Sequence, residues 1–143
     1  MAAESSATTV WEGDLAHGSG VTTPSSGAFD PLAVTWASRT ARRAGETSPE
    51  ELLAAAHASC YCMQLSHELA GAGTPPERLE ATATVAFVPG EGVTSSHIVV
   101  SGRVPEIDQA AFEAAADSAG EGCPISGALK GNVQITVDAT LET

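Results

Sequence analysis

The chain reads as an α+β protein with mainly antiparallel sheet packed on helices, and three observations carry that reading. Leu79 to Val88 and Val133 to Leu141 alternate apolar and polar residues with the period of two that marks a half-buried strand. The stretch from Ser48 to Ser66 is rich in helix formers. A three-strand antiparallel meander precedes that helix and a strand hairpin follows it. A length of 143 residues bounds the chain to one domain, residues 1–143, with neither an internal repeat nor a second domain.

Taken in order, Thr8 to Thr23 carries Val10, Trp11, Leu15 and Val21 among Gly13, Gly18 and Gly20, the pattern of a β-hairpin with an irregular turn. Thr22-Thr23-Pro24-Ser25-Ser26-Gly27 marks a second turn, and Leu32 to Trp36 predicts the third strand of a meander. A loop from Thr40 to Thr47 leads into the long helix. There Ser48 suits the N-cap, Pro49 suits the first helical position, and Glu51 completes a capping box. The next stop signal is Gly71-Ala72-Gly73-Thr74-Pro75-Pro76, so the helix runs for about 22 residues, or about 33 Å.

Beyond it, Leu79 to Val88 and Ser96 to Val104 form a hairpin about the Pro89-Gly90-Glu91-Gly92 turn. Asp108 caps a helix from Gln109 to about Ala119, which Gly120 and Gly122 are expected to stop. Pro124 opens a short helix with Cys123 at its cap, closed by Lys130 and Gly131. Lys130 lies at the C-terminal end of that dipole, the favourable place for a cation, and needs no catalytic role. Val133 to Leu141 is the last strand.

Charge and cysteine usage narrow the function. With 18 acidic and 6 basic side chains the formal net charge is −12, which argues against nucleic acid or an anionic membrane as partner. The sequence has no apolar run of 18 residues and no signal-peptide pattern at its start, so a cytoplasmic location is expected. Three cysteines are an odd number without the spacing of a secreted framework, so any disulfide is expected to be a redox intermediate.

Two of those cysteines stand out. Cys60 lies mid-helix, behind the small residues Ala54 to Ser59 that let another backbone come close. Cys123 sits at a helix cap, where the macrodipole favours a thiolate. Glu50 is ten residues before Cys60, about 15 Å along one helix, so the two cannot meet within a subunit. In a two-fold dimer with antiparallel central helices, Glu50 would instead reach the partner's Cys60.

The segment Pro49-Glu50-Glu51-Leu52, Ala55-Ala56-His57-Ala58-Ser59-Cys60, and some sixty positions later Cys123-Pro124-Ile125-Ser126, resembles the OsmC/Ohr family of organic hydroperoxide reductases. Trp11-Glu12-Gly13-Asp14 is similar to its OsmC branch. The resemblance implies an OsmC-like intertwined homodimer with sheets around two long central helices. It further implies a thiol peroxidase that reduces organic hydroperoxides, and hydrogen peroxide as a further substrate, in oxidative and osmotic stress. The implied roles are attack by Cys60, resolution by Cys123 as an intramolecular disulfide, and assistance by an arginine and Glu50. No cofactor or metal is implied, and the reductant is a dithiol of lipoyl type.

For the arginine, Arg39 is chosen because it ends the apolar stretch Leu32 to Trp36, so that a strand holds it, whereas Arg42 and Arg43 read as solvated loop charge. His57, three residues before Cys60, reads as a buried hydrogen-bonded imidazole rather than a catalytic base. Cys62, two residues from Cys60 on the helix, faces away from it. Three rival readings use the same residues: a metal site from His57, Cys60, Cys62 and Cys123, a thiol hydrolase using Cys60, His57 and Glu50, and a non-catalytic dimer binding a small apolar ligand.

Overall fold

The computed structural model describes residues 1–143 and divides into two compact units, Met1–Leu52 and Leu53–Thr143. In the N-terminal unit, β1 (Ala7–Glu12), β2 (Ser19–Pro24) and β3 (Leu32–Val34) form an antiparallel meander, with Val10 opposite Val21 and Trp11 opposite Gly20. A side chain at Gly20 would run into the Trp11 ring, with a Cβ only 2.8 Å from it. Every residue of β1 is exposed.

The third strand is shorter than expected. It stops at Val34 because Thr35 and Ser38 cap each other reciprocally and start a helix, α1 (Trp36–Thr40). Arg39 therefore lies on a helical turn rather than at a strand end. Thr47 pairs with Val34 as an isolated parallel bridge, and the Ser38 hydroxyl donates to the Thr47 carbonyl. This ties the loop before the long helix to the end of β3.

The long helix, α2 (Pro49–Gly71), starts where the sequence puts it, with Ser48 Oγ accepting from the Glu51 N–H at 3.0 Å. The Glu51 carboxylate takes the Thr47 hydroxyl at 2.8 Å in place of the expected return bond. The helix runs on from the first unit into the second and supplies the second unit's core with one stripe. His57, Tyr61, Leu65 and Leu69, four residues apart, are each at most 3% exposed.

The C-terminal unit is built on β4 (Arg78–Val88), β5 (Gly92–Arg103) and β6 (Gln134–Leu141) in that spatial order. The β4–β5 pair is the expected hairpin, with a register shift between Ala86 and Phe87. However, β6 pairs with β5 in parallel, so the sheet is mixed. The physical reason is the connection: α3 (Gln109–Gly122) and α4 (Pro124–Leu129) intervene, giving the helical crossover that parallel strands require.

The helix α3 is capped by Asp108 as expected but continues three residues past Ala119. Gly120 and Gly122 do not end it, because they serve close packing instead of a left-handed cap. A Cβ on Gly122 would lie 2.9 Å from the Gln64 amide of α2, and neither glycine has a positive φ. The core joins Tyr61, Leu65 and Leu69 of α2 to Ile98 and Val100 of β5 and to Phe112, Ala116 and Ala119 of α3. Tyr61 Oη donates to the Ala116 carbonyl at 2.9 Å, so its burial leaves no bare hydroxyl.

Candidate active site

Each unit of the chain contributes one cluster of the residues singled out by sequence. In the C-terminal unit the sulfurs of Cys60 and Cys123 are 3.0 Å apart, with the Cys123 thiol donating to Cys60, although 63 residues separate them. Both thiols are free. Cys60 is held mid-way along α2, one residue before the core-facing Tyr61, and is half-buried. Cys123 is 1% exposed.

Cys123 is fixed by its position in the backbone. It is at once the C-cap of α3, its N–H donating to Ala119 O at 2.9 Å, and the N-cap of α4, its carbonyl accepting from the Gly127 N–H at 3.0 Å. Pro124 occupies the first helical position, where its missing N–H costs nothing. The next N–H, that of Ile125, points at the Cys60 sulfur and favours its thiolate. Burial and the Cys123 thiol outweigh that contact and push the Cys60 pKa up. By itself, this unit holds Cys60 as a protonated thiol at neutral pH.

His57 lies fully buried one turn before Cys60, and both of its ring nitrogens are engaged. Nδ1 is 2.6 Å from Ser96 Oγ on β5, and Nε2 is 2.8 Å from Ser126 Oγ on α4. Burial pulls its pKa down, which keeps the ring neutral. It is the hydrogen-bonded imidazole expected, and neither nitrogen is turned to a base's task at Cys60. The two partners were not legible from sequence, since Ser96 and Ser126 are 39 and 69 residues away. A faint signal did exist: His57 precedes Cys60 by three residues, and Ser126 lies three residues after Cys123.

Cys62, on another face of α2, is half-buried beside the Ala81 N–H, and burial raises its pKa. No group of three or more His, Cys, Asp or Glu side chains converges in metal-binding geometry.

In the N-terminal unit, Arg39 on α1 and Glu50 in the first turn of α2 form an ion pair, Nε to Oε1, at 2.9 Å. The Arg39 guanidinium also stacks over Trp36, 5.9 Å from the ring centroid. Glu50 is 6% exposed, and its second carboxylate oxygen, Oε2, is buried without a hydrogen-bond partner. Arg42 and Arg43 are mostly solvated, with looser contacts at 3.6 Å to Glu51 and 3.9 Å to Glu46. Arg39 also borders an apolar cavity of about 330 Å³ whose walls include Trp11, Leu15, Val34, Trp36 and Leu52.

Comparison with known proteins gives a consistent set of likenesses. A family model described as OsmC-like protein matches residues 42–138. The chain is 35% identical over 136 residues to the Peroxiredoxin OsmC of Escherichia coli (strain K12), covering 93% of each, and equally to that of Shigella flexneri. Among solved structures it is similar to the organic hydroperoxide resistance protein OhrB of Bacillus subtilis, with a TM-score of 0.68 and 22% identity over 94% of this chain and 98% of the other. An OsmC-like protein from Mycoplasma pneumoniae superposes with a TM-score of 0.71 at 17% identity, covering all of both chains.

Proposed function

The chain belongs to the OsmC-like proteins, and from that premise we propose that it is a homodimeric thiol peroxidase that reduces organic hydroperoxides through Cys60. The single observation that carries this reading is the 3.0 Å approach of Cys60 and Cys123. A sulfenic acid escapes further oxidation readily when a second thiol stands within bonding range, and that is what this pair provides. The relatives named peroxiredoxin and organic hydroperoxide resistance protein support the same chemistry.

In the proposed cycle the Cys60 thiolate attacks one peroxide oxygen and the O–O bond breaks. The other oxygen leaves as alkoxide and takes a proton to become the alcohol, while Cys60 becomes a sulfenic acid. Cys123 then attacks the Cys60 sulfur, the S–O bond breaks, and hydroxide leaves with the Cys123 proton as water. A disulfide remains, and an external dithiol, of lipoyl type, reduces it. Hydrogen peroxide would take the same course.

The raised Cys60 pKa means that the thiolate needs a cation from outside its own unit. Arg39 suits that task, because a guanidinium stays charged and presents several donors in one plane. Glu50 fixes its direction through the 2.9 Å bond, and the bare Oε2 leaves an acceptor for a donor arriving with substrate or partner. In the proposed dimer, Arg39 and Glu50 of one protomer serve the partner's Cys60. Two surfaces fit such a partner. One face of α2 exposes Ala55, Ala56, Ser59 and Met63, the last at 73%, and the N-terminal unit exposes Val10, Trp11, Leu15 and Val21. The chain would act as one OsmC-like domain, and three free thiols suit the cytoplasm's reducing conditions.

The test is intact mass with thiol counting before and after one equivalent of cumene hydroperoxide. The expected result is loss of two thiols and two mass units. A gain of one oxygen with Cys123 still alkylatable would refute resolution by Cys123.

A further inference from the structure

The two helices that carry the sulfurs are joined by a second rung. His57 and Cys60 stand three residues apart on α2, Cys123 and Ser126 stand three residues apart around the start of α4, and the pairs meet in opposite order. His57 Nε2 meets Ser126 Oγ at 2.8 Å, and Cys60 meets Cys123 at 3.0 Å. The other imidazole nitrogen is anchored at 2.6 Å to Ser96 on β5, the middle strand of the sheet. His57, Ser96 and Ser126 are each at most 3% exposed, so water does not compete for these bonds.

We infer that His57 is a positioning residue for the resolving step: through Ser126 it holds α4, and with it the Cys123 sulfur, within reach of the oxidised Cys60. This rests on the peroxidase reading above and adds to it a specific function for a histidine that touches neither sulfur. Disulfide formation requires the sulfurs to close from 3.0 Å to about 2.0 Å. Meanwhile the sulfenic acid faces a competitor, since a second hydroperoxide converts it to the sulfinic acid and ends turnover. Anything that lets α4 drift lengthens the sulfenate's life, while the first attack feels only the opposed influences of the Ile125 N–H and the Cys123 thiol on Cys60.

The geometry supplies its own controls. A glutamine amide sits as far along its side chain as Nε2 and retains a partner for Ser126 while abandoning Ser96. An asparagine amide sits where Nδ1 does and retains Ser96 while abandoning Ser126. Each variant leaves one buried serine unpaired, and because asparagine also leaves a larger cavity than glutamine, Ser126→Ala, which removes the same link with residue 57 unchanged, completes the control.

The experiment is rapid-quench mass spectrometry of the reduced wild type, His57→Gln, His57→Asn and Ser126→Ala proteins with cumene hydroperoxide. It reads sulfenate (one added oxygen), disulfide (two hydrogens lost) and sulfinate (two added oxygens) against time. Expected are rates of sulfenate formation within about threefold of one another in all four, disulfide formation slowed about tenfold in H57N and S126A, and H57Q close to wild type. Sulfinate should accumulate in the two slow variants at excess peroxide. Equal disulfide rates in H57N and H57Q, or an unslowed S126A, would overturn the positioning role while leaving the peroxidase reading intact. A wild-type protein that forms sulfenate but never the disulfide would instead overturn resolution by Cys123, and this inference with it.

Discussion

Replacing Glu50 by Gln separates the charge of the buried carboxylate from its shape. In the native protein Oε1 takes the Arg39 Nε–H at 2.9 Å while Oε2 is buried and bare. A hydrogen bond between charged groups contributes about 1.5–3 kcal/mol, and a buried acceptor without a partner costs about 1–3 kcal/mol. Glutamine keeps an oxygen for the Arg39 Nε–H and puts a neutral, still unpartnered amide in place of Oε2, so the lost charge assistance is offset by the smaller cost of burying a neutral group, and E50Q is expected to change stability by about 1 kcal/mol or less. Activity has no such compensation. A guanidinium no longer held by a charged partner loses about 1.5–3 kcal/mol of positioning, which is roughly ten- to a hundredfold in kcat/KM. The assay is dithiol-coupled consumption of cumene hydroperoxide, read beside a thermal melt of the same preparation. A variant within twofold of wild-type kcat/KM would refute the assignment of Glu50 as Arg39's support. A large fall in melting temperature with the same loss of activity would show that the pair holds the N-terminal unit together instead.

Two further outcomes arise from the local electrostatics. Because burial and the Cys123 thiol push the Cys60 thiol up, its reactivity in the assembled protein is expected to depend on Arg39. Arg39→Gln should slow iodoacetamide alkylation of Cys60 at neutral pH by roughly tenfold or more, and an unchanged rate would remove Arg39 from the site. His57, whose pKa burial lowers, gives a signed dependence of stability on pH. Unfolded His57 takes up its proton near the ordinary value of about 6.5, and folded His57 only at lower pH. Its contribution is therefore complete above about pH 6.5 and drains, by up to about 1.4 kcal/mol per pH unit, as pH falls toward the folded-state value. The stability gap between wild type and H57Q, measured by urea denaturation, should narrow from about pH 7.5 to about 5.5, whereas parallel curves would contradict a buried neutral ring.

What the sequence made legible was whatever short-range chemistry decides. The Ser48-Pro49 start of α2, the Asp108 cap of α3 and the Cys123-Pro124 start of α4 all lie where residue types alone put them. Local signals failed where packing overruled them. Gly120 and Gly122 read as a stop, but a helix accepts glycine when a neighbour needs the space. The Thr35 and Ser38 pair gives no ordinary capping signal, because a reciprocal box usually closes with a glutamate or glutamine and here a serine closes it. The direction of β6 was not legible either, since its alternation is the same whether it runs with or against β5. Of the site, the paired sulfurs and the arginine–glutamate pair were expected from the resemblance and lie together in two clusters. Ser96, Ser126 and the Ile125 N–H were missed, because only the folded chain brings them to α2.

Cys123 ends one helix and begins the next with no residue to spare. Each residue added to a helix rotates the chain beyond it by about 100°, so a single insertion or deletion at this junction would swing the sulfur well over a quarter of a turn about the axis. Surface connections ordinarily absorb changes in length, but this one cannot. Tags, fusions and grafted loops therefore belong elsewhere, for instance at the exposed Pro89-Gly90-Glu91 turn, while the spacing from Ala119 to Ser126 has to be kept residue for residue.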